Sequence, residues 1–453
     1  MLPAKLPPGP KGNLIFNRKQ DFRHSLLSFL QKMSKEYPNI SRVKLGSMYF
    51  VQLSNEAYIE HVFQHRETYV KINEGGNLRF LLGNGLLTSE GEFWMKQRKL
   101  IQPVFHKQRL QGFVQKIVEC TEQMLLSWEK KTTQQIDMFQ EMTRVTLHIV
   151  GKTLLSTDVS EDFGKVSKAL TMVLEGIQDR RGRILKFPYW FPLPEHLRMR
   201  KNKRILDETI MNIINQRRAE KGNYDDLLTM LMEVEDADTA ERMTDVQLRD
   251  EALTIFIAGH ETTANAMSFM FYLLAKHPEA KKRIEEEVKR VLNGQEITYE
   301  RLAALEYTTM AIKESMRLYP PAWVVIREAS QDDVIDGYRI KKNDKIVLSP
   351  YTMQHNDVYW KDPEKFDPER FSPENIKSIP RYAYFPFGGG ARLCIGNNFA
   401  MMEMQIILAM VVTRFNFKLP DDFKVALKPL ITLRPANGIP LHLELKHEQA
   451  EAV

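Results

Sequence analysis

Two stretches of the chain carry residue types and spacings that can do chemistry. The first is FPFGGGARLCIGNNFA, residues 385–400, where three successive glycines precede Arg392, Cys394 and Gly396. Glycine loses more freedom on folding than any other residue, so a run of it implies that something approaches the main chain closely. The residues after Cys394, IGNNFAMMEMQIILAMV, read as a helix, so the cysteine stands at or just before a helix N-terminus. Free backbone N–H groups and the helix dipole favour a thiolate there. A nucleophilic cysteine needs a base, and no histidine in the segment offers one; a metal ligand needs none. One thiolate with no other cysteine or histidine nearby points to a metal whose remaining ligands come from a cofactor, and haem iron meets that description. The plain alternative for a lone cysteine is a small buried hydrophobe. On the cofactor reading, Gly388, Gly389 and Gly390 let the loop lie against a flat macrocycle, and Arg392 reaches a propionate. A phosphate loop is excluded, because no Gly-Lys-Ser/Thr follows and the spacing is not GxGxxG.

The second stretch is AGHETT, Ala258 to Thr263, inside a long apolar helical pattern. Glycine in a helix interior costs about 1 kcal/mol relative to alanine, so Gly259 is conspicuous. The Thr262 hydroxyl can bond the carbonyl of Ala258, four residues back, and loosen the ladder. That leaves a local groove with a hydroxyl and the Glu261 carboxylate. By itself it could be a kink with a satisfied polar pair; beside a haem it becomes a place for dioxygen and a route for protons.

These stretches need elements to hold them. The helix bearing AGHETT starts at Thr244, a plausible N-cap, and runs through residue 277 to Pro278. At ~1.5 Å per residue it is roughly 45–50 Å long, enough to cross a domain. It is apolar on nearly every side through its middle, which marks it as buried. Pro278 opens another helix that Gly294 closes, and a third runs from Tyr299 to Leu318, stopping at Pro320–Pro321. Strand signals cluster in Arg42–Leu53, turning at Gly46, and in Val334–Leu348, with an Asp-Gly hairpin signal. No repeat or linker interrupts the chain, so residues 1–453 are expected to form a single large domain, mainly α with small β-sheets.

Composition agrees: 43% of residues are hydrophobic, 27% charged, and the formal net charge is +6. A mild basic excess permits an acidic partner without requiring one, and nothing suggests nucleic acid. Two cysteines, Cys120 and Cys394, exclude a disulfide framework or a four-cysteine zinc site and fit a reducing, cytoplasmic setting. The opening MLPAKLPPGPKGN has no apolar run, and the apolar runs elsewhere fall short of the ~20 residues of a spanning helix. No transmembrane anchor is expected.

With both stretches in view, the chain resembles the cytochrome P450 monooxygenases. Phe387 to Gly396 is similar to their haem-binding loop, FxxGxRxCxG, without a mismatch, and AGHETT to their oxygen-activation motif. Glu314 to Arg317 is similar to their ExxR, Pro368 to Phe371 to PERF, and Trp94 to Arg98 to WxxxR, all in family order. The resemblance implies the family fold around a buried haem b, held non-covalently apart from Cys394, the axial thiolate. It implies that Thr262 hydrogen-bonds dioxygen while Glu261 helps to bring in protons. Trp94, Arg98 and Arg392, with Arg327 in addition, would hold the propionates; Phe387, Gly388, Gly390, Gly396 and Ala258 would border the cofactor. Glu314, Arg317 and Arg370 would form a structural trio. The family's membrane anchor and fused flavin reductase are not seen, so a soluble bacterial-type monomer with a separate electron donor (a ferredoxin, flavodoxin or reductase) is expected. Relatives that esterify their haem carry glutamate where this chain has Ala258, so no such link is expected.

Position suggests the substrate contacts: Phe80, Leu81 and Leu82 before Trp94, then Ala322, Val324, Val325 and Ile431. Their apolar character implies a lipophilic substrate, a fatty acid first and a terpenoid or steroid second, although each could equally be ordinary core. The aromatic and basic stretch Lys186–Arg204 reads as a solvated lid or a membrane-surface element. Lys96, Lys99, Lys107 and Arg109 could face an acidic donor or simply solvent. Two further readings stay open: a hydroperoxide isomerase, against which Thr262 argues, and a non-catalytic haem sensor.

Overall fold

Burial against one central helix organises the protein. The computed structural model describes residues 4–10, 12, 26–72, 77–130, 135–154, 156, 163–181, 187–219, 226–235 and 242–446. In chain order its helices are α1 (Leu26–Glu36), α2 (Glu56–Gln64), α3 (Asn77–Leu82), α4 (Gly91–Ile101), α5 (Lys107–Glu129), α6 (Met138–Leu154), α7 (Phe163–Arg181), α8 (Pro194–Ala219), α9 (Leu227–Glu233), α10 (Asp245–Lys276), α11 (Pro278–Leu292), α12 (Tyr299–Ala303), α13 (Glu306–Leu318), α14 (Pro350–Gln354) and α15 (Asn397–Arg414). Helix dominates and the sheets are small, as expected.

Helix α10 starts where the sequence says it should. The Thr244 side chain accepts from Gln247 N–H, while the Gln247 side chain accepts from Thr244 N–H, a reciprocal cap that satisfies two otherwise free donors. Almost every residue from Leu248 to Leu274 is buried, and α6, α8, α13 and α15 pack around the helix. Its C-terminal half shares one hydrophobic core with α5, α13 and α15; its N-terminal half shares another with α3, α6, α7 and α8. Ile395 packs on the second of these cores and Phe387 on the first, so the cysteine loop sits where the two meet.

Strands β1 (Ile40–Leu45) and β2 (Met48–Leu53) form the expected hairpin, with Gly46 at φ +66°. They extend through β5 (Lys345–Leu348) and β4 (Val325–Ala329) to β3 (Tyr69–Lys71), in the order β1-β2-β5-β4-β3. Pairing of β3 with β4 sets Lys71 directly opposite Arg327. The Asp-Gly signal is a tight hairpin with Asp336 at φ +46° and Gly337 at +76°.

The helix expected over Tyr299–Leu318 is two helices, α12 and α13. The buried Glu287 carboxylate of α11 takes the N–H groups of Tyr307 and Thr308 at 2.7 and 2.8 Å. An acceptor from another helix thereby starts α13 afresh, which local periodicity does not reveal.

Candidate active site

Helix α10 has one opening in its buried surface. Ala258 is exposed and Gly259 and Thr262 are half-buried, whereas Ile257, His260, Glu261 and Thr263 are buried. The three open residues sit at i, i+1 and i+4, on one side of the helix. Thr262 Oγ1 donates to the Ala258 carbonyl at 2.6 Å, the bond expected from the sequence. Behind the opening, a Cβ at Gly259 would lie 3.3 Å from Val150, so the glycine keeps α6 and α10 close.

Cys394 has the same double character. Its surface is open, yet protein surrounds it so closely that burial pushes its thiol pKa up. An open surface on a deeply seated sulfur means that it lines an interior void. The Gly396 N–H and Arg98 pull the other way, but burial is the larger effect. The helix-terminus argument therefore needs correction: alone, the dipole does not make this cysteine a thiolate, and a cation on the sulfur would have to take the proton's place.

The loop is built around Phe63 of α2. A Cβ at Gly389 would lie 2.6 Å from Tyr382 Cε1 and 2.9 Å from Phe63 Cδ2, and at Gly390 2.4 Å from the Phe63 carbonyl. Those two glycines make room for protein. Gly388, at φ +74° with nothing within 4 Å of its absent side chain, leaves open space. Cys394 N–H closes the loop on Phe387 O at 3.0 Å.

Around this void stand four cations. Arg98 of α4 donates to Leu393 O at 2.8 Å, next to the cysteine. Arg392 lies with its guanidinium 4.1 Å from the Trp94 ring centre, pairs with Glu90 at 2.6 Å and donates to Ser89 O at 2.9 Å. Its Nη1 is buried without any hydrogen-bond partner among the described residues. Arg327 is 9% exposed, and burial, with Arg392 beside it, pushes its pKa down to about 10. Lys71, opposite Arg327, is held well below the usual lysine range by burial, then by Arg392 and Arg327. Packing cations together under protein is unfavourable unless anions join them. The orphaned Arg392 donor and this crowding fit a cofactor that brings carboxylates, as haem does. Sequence reasoning missed Lys71, Glu90 and the buried Gln97 side chain, which has no hydrogen-bond partner among the described residues; only the long-range β3–β4 pairing brings Lys71 here.

Other expected residues fall out unevenly. Glu261 does not face the opening: it accepts from Thr432 Oγ1 and is clamped by Arg434, Nε at 2.9 Å and Nη2 at 2.8 Å. Residues 261 and 262 point about 100° apart on a helix, so the acid and the alcohol serve different neighbours. Leu81 and Leu82 are 0% and 1% exposed and pack as core, because helical geometry turns them inward. Phe80, Ala322, Val324, Val325 and Ile431 keep partial exposure. The trio is assembled: Arg317 binds Glu314 through Nε at 2.7 Å and Nη2 at 2.9 Å, and Arg370 Nε lies 3.4 Å from the same carboxylate.

Fold and site together fit a haem-dependent monooxygenase. The chain matches the Cytochrome P450 family model over residues 7–440. It is 30% identical to the cyclooctat-9-en-7-ol 5-monooxygenase of Streptomyces melanosporofaciens, over 86% of this chain and 85% of that protein. It is 32% identical to the pentalenene oxygenase of Streptomyces avermitilis over 81% of each chain. It is 35% identical to the leukotriene-B4 omega-hydroxylase 3 of Mus musculus, over 80% and 74%. The crystal structure of the cytochrome P450DA haem domain shares the fold, with TM-score 0.89, 24% identity and coverage of 98% and 99%. The chain belongs to the cytochrome P450 family, and with it come oxidoreductase chemistry, a haem cofactor, dioxygen and a redox partner.

Proposed function

We propose that the protein is a haem-thiolate monooxygenase that hydroxylates a lipophilic molecule, a fatty acid before a terpenoid or steroid, with electrons from a separate ferredoxin, flavodoxin or reductase. The observation that carries this reading is the interior void bordered by the Cys394 sulfur and ringed by Arg98, Arg327, Arg392 and Lys71. Haem b would be held by the Cys394 sulfur, by Trp94 and the arginines, and by no ester, since Ala258 has no carboxylate. When bound, a haem with a thiolate ligand supplies dioxygen activation and transfer of one oxygen atom.

The chain's own residues do the rest. Thr262 holds a hydroxyl proton at the opening of α10, and releasing the Ala258 carbonyl lets Oγ1 turn into the void. Glu261 can carry protons there only after letting go of Arg434 and Thr432. Phe80, Ala322, Val324, Val325 and Ile431 offer apolar walls that exclude water and take an apolar substrate. Both lipid and terpenoid oxygenation occur among the relatives, so the terpenoid reading stands second. No helix among the described residues is long and apolar enough to cross a membrane.

The test is a screen of fatty acids, terpenes and steroids for ligand-induced spin-state shifts, followed by NADPH-driven turnover with a surrogate ferredoxin system. Stoichiometric hydroxylation of a shifting ligand supports the proposal. Donor-independent conversion of a lipid hydroperoxide would favour an isomerase, and haem-loaded protein inert to every ligand would favour a sensor.

A further inference from the structure

The loop after α3, residues 83–90, is held by charged side chains at both ends. At one end Asn84 N–H donates to Asp250 Oδ2 at 2.7 Å and Leu86 N–H to Glu251 Oε2 at 2.9 Å. These neighbouring carboxylates of α10 are 5% and 1% exposed. Both glycines of the GNG sequence are needed to seat the loop: a Cβ at Gly83 would lie 2.1 Å from Asp250 Oδ2, and at Gly85 2.2 Å from Thr254 Oγ1. Asp250 is itself fixed by Arg249, which pairs with Asp207 of α8 at 2.7 Å. At the other end the Leu87 carbonyl accepts from Lys71 Nζ, the Ser89 carbonyl from Arg392, and Glu90 pairs with Arg392. Between the two anchors, Leu86 packs, as Phe80 and Ile395 also do, against the core that includes Ile255 and Ile257.

We propose that Asp250 and Glu251 are positioning residues, a paired-carboxylate clamp that holds the 83–90 loop as a strap between α10 and the cation cradle and thereby sets one wall of the substrate cavity. What the cavity contains rests on the haem-thiolate reading; the clamp does not. Two adjacent buried carboxylates are a poor device for stability alone, since well-packed apolar residues would serve as well or better. They grip backbone N–H groups directionally, so the wall is located whatever side chains the loop carries. Burial, and Asp250 beside it, push the Glu251 pKa up to about 7, a sign of how closely the loop covers it.

The test compares Glu251→Leu and Asp250→Leu with Glu251→Gln and Asp250→Asn, which keep an acceptor oxygen. In the haem-loaded protein, amide exchange over residues 83–90 reads the attachment. Relative affinity for phenylimidazole over imidazole reads the wall, because both bind at the iron and only one reaches outward. The leucine variants should exchange about tenfold faster or more and shift the affinity ratio by a similar factor, the size expected for losing a charge-assisted bond. The amide variants should stay within about threefold of wild type. Unchanged exchange in the leucine variants, amide variants as impaired as leucine, or faster exchange with an unchanged ratio would overturn the proposal. Should a leucine variant fail to fold, Gly85→Ala, which displaces the loop from its own side, must shift the ratio, and an unchanged ratio is again refutation. A chain that takes up no haem would sink the proposed function, while the exchange comparison would still decide the attachment.

Discussion

Replacing Arg317 with leucine tests how much the buried trio holds. Arg317 and Glu314 are both 0% exposed. Besides its two bonds to Glu314, the guanidinium donates to the carbonyls of Gln354 at 2.7 Å, Pro363 at 2.8 Å and Lys365 at 3.1 Å. Leucine would strand all three carbonyls and leave Glu314 with the Asp367 N–H at 2.9 Å and Arg370 at 3.4 Å. Removing one side of a buried pair costs ~3–5 kcal/mol. Each stranded carbonyl adds ~1–3 kcal/mol where water cannot reach it. Burial already pushes the Glu314 pKa up, so the carboxyl can take a proton and recover part of the loss. The expected net destabilisation is ~3–5 kcal/mol or more, a large part of the ~5–15 kcal/mol that holds a typical protein folded. Urea unfolding followed by tryptophan fluorescence is the assay, because the Trp360 ring lies 5.0 Å from the Arg317 guanidinium. Haem retention should fall as well, since the Gln354 side chain links Met316 and Arg317 to Phe385 at the head of the cysteine loop. Arg317→Lys should not rescue, as a point ammonium cannot fill a forked site. A loss below ~1 kcal/mol, or full recovery with lysine, would refute the reasoning.

Three further outcomes are expected. Thr262→Ala should keep the haem but raise the share of electrons lost as peroxide several-fold; coupling as tight as wild type would remove the hydroxyl's role. Burial pushes the Glu403 pKa from the ordinary 4.5 up to about 8, with Thr263 a weak offset and neither carboxyl oxygen properly hydrogen-bonded. A raised folded pKa means that stability is complete below pH ~4.5 and is lost as pH rises toward ~8, at up to ~1.4 kcal/mol per pH unit; Glu403→Gln should flatten that decline in urea midpoints, and an unchanged slope contradicts it. Arg392→Leu should speed haem loss to apomyoglobin about tenfold through the lost charged contact, while in the haem-free protein relief of repulsion on Lys71 and Arg327 offsets part of the lost Glu90 and Ser89 contacts, so that thermal melts shift less than those of the haem-loaded protein.

What could be read from the sequence was whatever is local. The cap at Thr244, the stop at Pro278, the Asp336-Gly337 hairpin and the Thr262–Ala258 bond each depend on residues within four positions of one another, and each is present. The family motifs were legible because their order along the chain is itself information. What was not legible arises from partners far apart. Glu261 meets Arg434 at a separation of 173 residues, and Leu86 meets Glu251 at 165. Glu287 starts α13 from another helix, and burial overrides the helix-terminus effect at Cys394. GNG, taken alone, looks like an ordinary flexible turn; only the carboxylates packed against it explain the missing side chains.

The central claim is that the sulfur of Cys394 ligates haem iron, and the absorption spectrum of the reduced carbon monoxide complex tests it most directly. The wild-type protein should give the strongly red-shifted Soret band of thiolate ligation, and Cys394→Ser should lose it while the rest of the chain stays folded. The same band in both proteins, or its absence from haem-loaded wild type, would contradict the account.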